Sequence, residues 1–363
     1  MNSEFERKQS CIQDFLNNHK LDAVFLQTSG NFAWATCGAS SFIDRATTMG
    51  VASLVITKTD RYVITNNIER NRLAEEEGLT AQGWNFQTIP WYEQTNLLLK
   101  LTGEMRVGTD VNLPNTVNMS NELVVLRSQL TKEENLRFRE LGSLCAQSMQ
   151  QTIDALRPGM TEYEIAGFLS QAAESKGVQA IVNLIATDER IFSYRHPLPT
   201  SKELKKYAMV ILCGRMGGLI CSITRLIHFG ALSDELRKKS EAVARIDAEM
   251  IAATRPGFTQ GDVFRKAQEI YASTGFPDEW QLHHQGGMAG YAPREFTATP
   301  NSKEPILTGQ AFAWNPSITG AKSEDTILVR EQSNEIITEI MGWPTIDIKV
   351  GDQVIKRPAI LER

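Results

Sequence analysis

A thiol, two imidazoles, a carboxylate and an amide are spread through the carboxyl-terminal half of this sequence, each in apolar or glycine-rich surroundings. They are Cys213 after Val210-Ile211-Leu212, His283 and His284 before Gln285-Gly286-Gly287, Asn315 between Trp314 and Pro316, and Glu324 before Asp325-Thr326. Cys213, His284 and Glu324 could work as nucleophile, base and orienting group, because an adjacent imidazole makes a thiolate reactive. The same three are zinc's usual ligand types, and a catalytic zinc takes three of them with one position open. Against both readings, a small cysteine buried on an apolar strand is commonplace. His196, in Ser193-Tyr194-Arg195-His196-Pro197, has an unperturbed pKa near 6.5 and can move protons in both directions at neutral pH. Its plainer role is a loop histidine that stacks or hydrogen-bonds. Burial would raise the Glu324 pKa, whereas Arg225 beside it would hold it charged, either as a group that orients water or as half of an internal salt bridge. Arg195, Arg225 and Arg294 make a field suited to a carboxylate-bearing small molecule, since guanidinium pairs with carboxylate through two hydrogen bonds. Ser222 and Asn315 offer further hydrogen bonds to a polar ligand, or simply fill space.

These residues need rigid elements to bring them together. Thr131-Lys132-Glu133-Glu134 is a capping box that opens a helix to about Leu156 and divides the chain into residues 1–128 and 129–363. Beyond it, Ala155-Leu156-Arg157-Pro158-Gly159-Met160-Thr161 recurs as Ala253-Thr254-Arg255-Pro256-Gly257-Phe258-Thr259. In each copy Pro and Gly end one helix and Thr caps the next, which predicts an internal pseudo-twofold repeat. Met209 to Leu212 and Thr326 to Val329 read as strands, with Gly217-Gly218 in a tight turn. The first third reads as a separate α/β domain. It has a helix over Phe5 to Asn18, strands at Ala23 to Leu26 and Arg106 to Asp110, a hairpin from Ala52 to Thr65, and a polar helix from about Asn66 to Glu77.

The fold class expected is therefore mixed α/β (α+β) in two domains, which 363 residues accommodate. A net charge of -5 excludes the basic field that nucleic-acid binding requires. No apolar run reaches spanning length and the first residues lack a signal-peptide core, so a cytoplasmic protein without membrane partners is expected. Cys11, Cys37, Cys145, Cys213 and Cys221 lack paired metal spacing, as fits reduced cytosolic thiols.

In their order and spacing, Leu212-Cys213-Gly214, Cys221-Ser222-Ile223-Thr224-Arg225, His283-His284-Gln285-Gly286-Gly287, Trp314-Asn315-Pro316 and Ser323-Glu324-Asp325-Thr326 resemble the creatinase, aminopeptidase P and methionine aminopeptidase superfamily. The resemblance is close over residues 131–340. It implies a pita-bread catalytic domain at 129–363, a creatinase-like amino-terminal domain at 1–128, and a homodimer. It further implies that Cys213, Ser222, His284, Asn315 and Glu324 occupy the family's five metal-ligand positions, where four carboxylates and one histidine hold two ions. Only the histidine and the last glutamate remain, so at most two negative charges would face four positive ones and a two-metal centre is not expected. The expectation is thus no cofactor, or alternatively a single divalent metal such as zinc on Cys213, His284 and Glu324. His196 matches the family's substrate-facing histidine, the acid–base catalyst in metal-free creatinase, and Tyr291 replaces a histidine seven residues beyond the ligand. The reading this favours is a metal-independent hydrolase of a C–N bond in a small carboxylate-bearing compound, similar to creatinase or ectoine hydrolase. In it His196, His284 and Glu324 do the chemistry, and Arg195, Ser222, Arg225, Tyr291, Arg294 and Asn315 bind the substrate. The alternatives are a metallopeptidase with a remodelled, single-metal site, and a pseudoenzyme that binds a metabolite or protein.

Overall fold

The computed structural model describes residues 3–363, which separate into two compact units: residues up to Arg127 together with the Gly217–Leu219 hairpin tip, and the remainder from Ser128. The first unit is built on a six-stranded sheet. Its strands are β1 (Ala23–Thr28), β2 (Met49–Thr57), β3 (Arg61–Asn66), β4 (Asn85–Ile89), β5 (Val107–Thr109) and β6 (Val117–Asn118), in the order β4-β3-β2-β1-β5-β6. The expected hairpin is present, with Ser53 opposite Ile64 and Ile56 opposite Arg61. Ala23, Phe25, Val55 and Val107 pack together on this sheet. Helix α1 (Glu4–Asn18) starts at a Ser3–Glu6 capping box, and α2 (Ser29–Ala35), α3 (Leu97–Thr102) and α4 (Ser120–Ser128) complete the unit. The helix expected over Asn66 to Glu77 is only a short π-type turn at Arg72–Glu76, because Asn66 Oδ1 accepts the Ile68 and Glu69 N–H groups and bends the chain into an Asx turn.

The second unit contains the sequence repeat as two structural copies. Helix α5 (Lys132–Ala155) and α6 (Glu162–Glu174) form one pair. After α7 (Glu189–Ser193), α8 (Asp234–Ala253) and α9 (Gln260–Ser273) form the other. Thr161 and Thr259 cap α6 and α9 with the same reciprocal bonds, to Glu164 and Asp262, and each makes an isolated β-bridge, to Glu203 and Pro305. The recurring Arg-Pro-Gly-x-Thr run is thus a repeated unit of structure, as the pattern predicts.

Two sheets lie in this unit. One contains β7 (Gln179–Thr187), β8 (Tyr207–Met216) and β9 (Leu219–His228), closed at its edge by the last strand, β19 (Leu361–Glu362). The other has the order β11-β10-β12-β15-β16, from β10 (Gly286–Ala289), β11 (Phe296–Thr297), β12 (Ala311–Trp314), β15 (Asp325–Leu328) and β16 (Glu335–Ile336). A ribbon of β13 (Ser317–Ile318) and β14 (Ala321–Lys322) and a hairpin of β17 (Thr345–Val350) and β18 (Gln353–Pro358) complete it. Val263, Tyr271, Met288, Phe312, Trp314 and Ile327 are among the buried side chains that join α8 and α9 to the second sheet. Leu184, Met209, Ile211 and Leu226 pack on the first. Among the described residues, no helix is long and apolar enough to cross a membrane.

Candidate active site

The turn at Gly217-Gly218 sets the first two site residues. Both glycines have positive φ, 54° and 79°, the conformation a tight two-residue hairpin turn requires. Counting three residues outward from Met216 and Leu219 puts Cys213 opposite Ser222, and their Sγ and Oγ are 3.2 Å apart. Strand alternation then places Thr224 on the same face as Ser222 and turns Arg225 to the opposite one. An isolated bridge between Thr224 and Glu324 joins this strand to the start of β15. Trp314 pairs with Asp325 in the ladder of β12 and β15, which brings Asn315 and Glu324 to neighbouring strand ends. Gly286 is required where it stands: its φ is 96°, and a Cβ there would lie 2.2 Å from the Ala313 carbonyl oxygen.

Glu324 is 2% exposed, and its carboxylate is enclosed by donors. Arg294 Nη2 donates to Oε1 at 3.0 Å, while Lys322 Nζ at 2.7 Å and Thr224 Oγ1 at 2.5 Å meet Oε2. Burial pushes the carboxyl pKa up, but the Lys322 and Arg294 charges outweigh it and hold the pKa down at about 2. Arg294 also donates from Nη1 to Ser222 Oγ at 3.1 Å. Arg294 Nε and Asn315 Oδ1 are buried polar atoms without a hydrogen-bond partner. Cys213 is a neutral thiol, since burial, helped by the Glu324 charge, pushes its pKa up to about 11. The thiolate nucleophile is therefore not supported at this position.

The histidines form a second cluster. His196, His283 and His284 bring one ring nitrogen each within 4.8 Å of one another. His196 Nε2 and His283 Nε2 are 3.1 Å apart, and the ring centroids of His283 and His284 are 4.6 Å apart. His283 is buried, with Ser317 Oγ 3.4 Å from its Nδ1, whereas His196 and His284 are only partly covered and keep contact with solvent. Burial, reinforced by Lys322, lowers the His283 pKa to about 2; burial with Arg294 lowers that of His284 to about 4. Burial also lowers His196, again with Lys322 contributing. All three rings are neutral at pH 7.

Several assignments made from sequence are corrected by these contacts. Arg225 does not pair with the Glu324 carboxylate: its Nη2 donates to Asp325 Oδ1 at 2.9 Å and to the Thr338 carbonyl. It belongs to a buried network in which Arg357 bridges Asp325 and Asp247. Arg195 donates to Glu279 at 2.6 Å and to Thr319 at 3.0 Å. The Tyr291 hydroxyl donates to Glu134 at 2.6 Å, the glutamate that also completes the α5 capping box. Of the three arginines, Arg294 meets the Glu324 carboxylate, whereas Arg225 reaches only the Glu324 main-chain carbonyl, at 3.4 Å. His196 is joined to His283 rather than standing as an isolated proton carrier. Lys322 is absent from the residues expected at the site, and His283, named among the chemistry-bearing side chains, has no assigned role there. For Lys322 a signal existed, because residues two apart in extended chain share a face and Lys322 precedes Glu324 by two.

The dinuclear centre that the resemblance implies does not fit these residues. Its five positions present a protonated thiol, a hydroxyl, an imidazole, an amide and a carboxylate already neutralised by two side-chain cations. Hard cations need anionic oxygens, and none is free here. The single-metal set Cys213, His284 and Glu324 fails for the same reason. Among the described residues, the group whose ligand atoms come together is His196, His283 and His284.

The chain is 25% identical over 356 residues to an uncharacterized peptidase of Staphylococcus aureus (strain MW2), covering 91% of this chain and 98% of that protein. Its fold is similar to the prolidase from Pyrococcus horikoshii OT3, with a TM-score of 0.78, 16% identity, and 92% and 98% of the two chains covered. It is equally similar to an Xaa-Pro dipeptidase from Bacillus anthracis, with a TM-score of 0.78, 16% identity, and 99% and 100% covered. The profile described as metallopeptidase family M24 matches residues 137–331, more than half of the sequence. That span holds both histidine segments, Arg294, Lys322 and Glu324, and the chain belongs to metallopeptidase family M24.

Proposed function

We propose that this M24 protein hydrolyses an amide-type C–N bond in a small, peptide-like compound that carries a free carboxylate. The observation that carries the reading is the charge imbalance at the inherited centre: Lys322 and Arg294 bring two positive charges to the single carboxylate of Glu324. A substrate carboxylate supplies the missing charge, and the unpartnered Arg294 Nε–H is a ready donor for it. Asn315 Oδ1, also buried without a partner, suits a substrate N–H. The histidine cluster provides the reacting end, where the hydroxyl of water adds to the carbonyl carbon and a proton passes to the leaving nitrogen. The names of the similar proteins favour the peptidase alternative over a creatinase-like reaction; a dipeptide, the substrate class in the Bacillus anthracis protein's name, carries such a carboxylate.

A turnover screen of dipeptides, N-acyl amino acids and guanidino acids tests this. Arg294→Met is expected to raise KM for a carboxylate substrate by roughly 10- to 100-fold, the value of one hydrogen bond to a charged group, while changing hydrolysis of its carboxamide counterpart far less. His196→Ala is expected to lower kcat. Equal losses on both substrates would sink the carboxylate assignment. No hydrolysis across the panel would make the chain a binding protein.

A further inference from the structure

We infer that His196, His283 and His284 form a mononuclear site for a borderline divalent ion, zinc first, in place of the family's dinuclear centre. Zinc–nitrogen bonds of about 2.0–2.1 Å in tetrahedral geometry put ligand nitrogens roughly 3.3–3.4 Å apart. His196 Nε2 and His283 Nε2 are already 3.1 Å apart, and the third ring's nitrogen lies within 4.8 Å of both. To ligate with them, the His284 ring must turn to close that gap.

The 3.1 Å contact also has room for only one proton, since two neutral imidazoles facing through Nε2 can share a single N–H. A metal ion replaces that proton and satisfies both lone pairs. The remaining His283 nitrogen has Ser317 Oγ 3.4 Å away, the kind of outer partner that fixes a ligating ring. The backbone that carries the pair is braced as well. The Gln285 side chain donates to the His283 carbonyl at 2.6 Å and accepts from the Tyr271 hydroxyl at 2.8 Å.

Ligand type agrees with geometry. Three neutral imidazoles with an open fourth position are a set that catalytic zinc uses, and imidazole also suits copper, nickel and iron. Two features oppose binding. The Gly286 N–H meets His284 Nδ1 at 3.3 Å, a long contact that is given up or weakened when the ring turns. Lys322 and Arg294 raise the local positive potential, which Glu324 offsets by one charge. An anion at the open position is therefore favoured, so metal and a carboxylate ligand should each tighten the other. This last clause rests on the proposed substrate class; the metal site itself does not. When bound, such an ion supplies Lewis acidity toward a carbonyl or water.

The discriminating residue is His283, which none of the five inherited positions includes. Tag-free protein, stripped with chelator, is titrated with Zn2+ by calorimetry and with Co2+ by visible absorption. One equivalent and a tetrahedral cobalt spectrum are expected. His283→Ala should weaken Zn2+ binding at least about 100-fold, since even outer-shell changes cost 10- to 100-fold. Because His283 is buried, the solvent-accessible His196→Ala gives the same test in a variant whose fold is checked by circular dichroism. Cys213→Ala should leave affinity unchanged. No binding, binding of two equivalents, or binding undiminished in both histidine variants would overturn the site. Hydrolysis without any metal binding would defeat this inference and leave the hydrolase reading standing; metal binding without hydrolysis of any substrate would do the reverse.

Discussion

Replacing Lys322 by methionine isolates the cation that neutralises Glu324. The two charges are 2.7 Å apart with side chains 5% and 3% exposed. At an effective dielectric of about 20 their attraction is about 6 kcal/mol, of which the desolvation of both ions cancels a large part. Breaking a buried pair typically costs about 3–5 kcal/mol. The Arg294 and Thr224 contacts to Glu324 persist in the variant, so the lower end, about 3 kcal/mol, is expected. For a unit of this size each kcal/mol shifts Tm by about 2–4 °C, giving a fall of roughly 6–12 °C. The wild-type Glu324 pKa is held below its ordinary 4.5, at about 2, so its stabilisation is complete above 4.5 and disappears as pH falls toward 2. The deficit of Lys322→Met should thus be constant at neutral pH and shrink once the carboxyl begins to protonate. Thermal and urea unfolding of Lys322→Met, Glu324→Gln and the double variant measure this. The double variant should be less destabilised than the sum of the singles by about 1–3 kcal/mol. Strict additivity, or an unchanged Tm in Lys322→Met, would refute the claim that this pair closes the inherited centre.

Other outcomes follow from the same geometry. Arg225→Met should destabilise the protein by about 3 kcal/mol, the lower end for a broken buried pair because Arg357 stays on Asp325, yet leave KM of the folded enzyme unchanged; a raised KM at full stability would return Arg225 to the binding site. Cys213, buried and held neutral up to about 11, should resist iodoacetamide at pH 8 in the native state, and rapid labelling with loss of activity would revive the nucleophile. His283 is neutral when folded and protonated below pH 6.5 when unfolded, so the unfolded state binds the extra proton and stability falls as pH drops below 6.5. His283→Asn should remove about one proton, or about 1.4 kcal/mol per pH unit, from that slope in a urea series between pH 6 and 5; an unchanged slope would place the titration elsewhere.

The parts of the molecule that were legible in sequence are those set by local chemistry. The Thr131, Thr161 and Thr259 caps depend on residues within one turn, and each forms as its sequence dictates. The Gly217-Gly218 turn sets the Cys213–Ser222 pairing by counting alone. Alternation along β9 separates Thr224 from Arg225, which point to different carboxylates, but which carboxylate each meets depends on the strand 100 residues away. The meeting of His196 with His283 was not legible, because it joins a loop after α7 to the segment before β10, 87 residues away. Arg294 and Arg195 look alike in sequence, and only the fold decides that one reaches Glu324 and the other Glu279.

We propose that the Lys322 and Arg294 cations supply at Glu324 the charge neutralisation that the implied pair of metal ions would otherwise provide. It is tested most directly by counting ions per chain with inductively coupled plasma mass spectrometry, on protein purified from zinc- and manganese-supplemented cells and dialysed free of loose metal. At most one ion per chain is expected, lost in His283→Ala. Two tightly held ions per chain, retained in that variant, would contradict it.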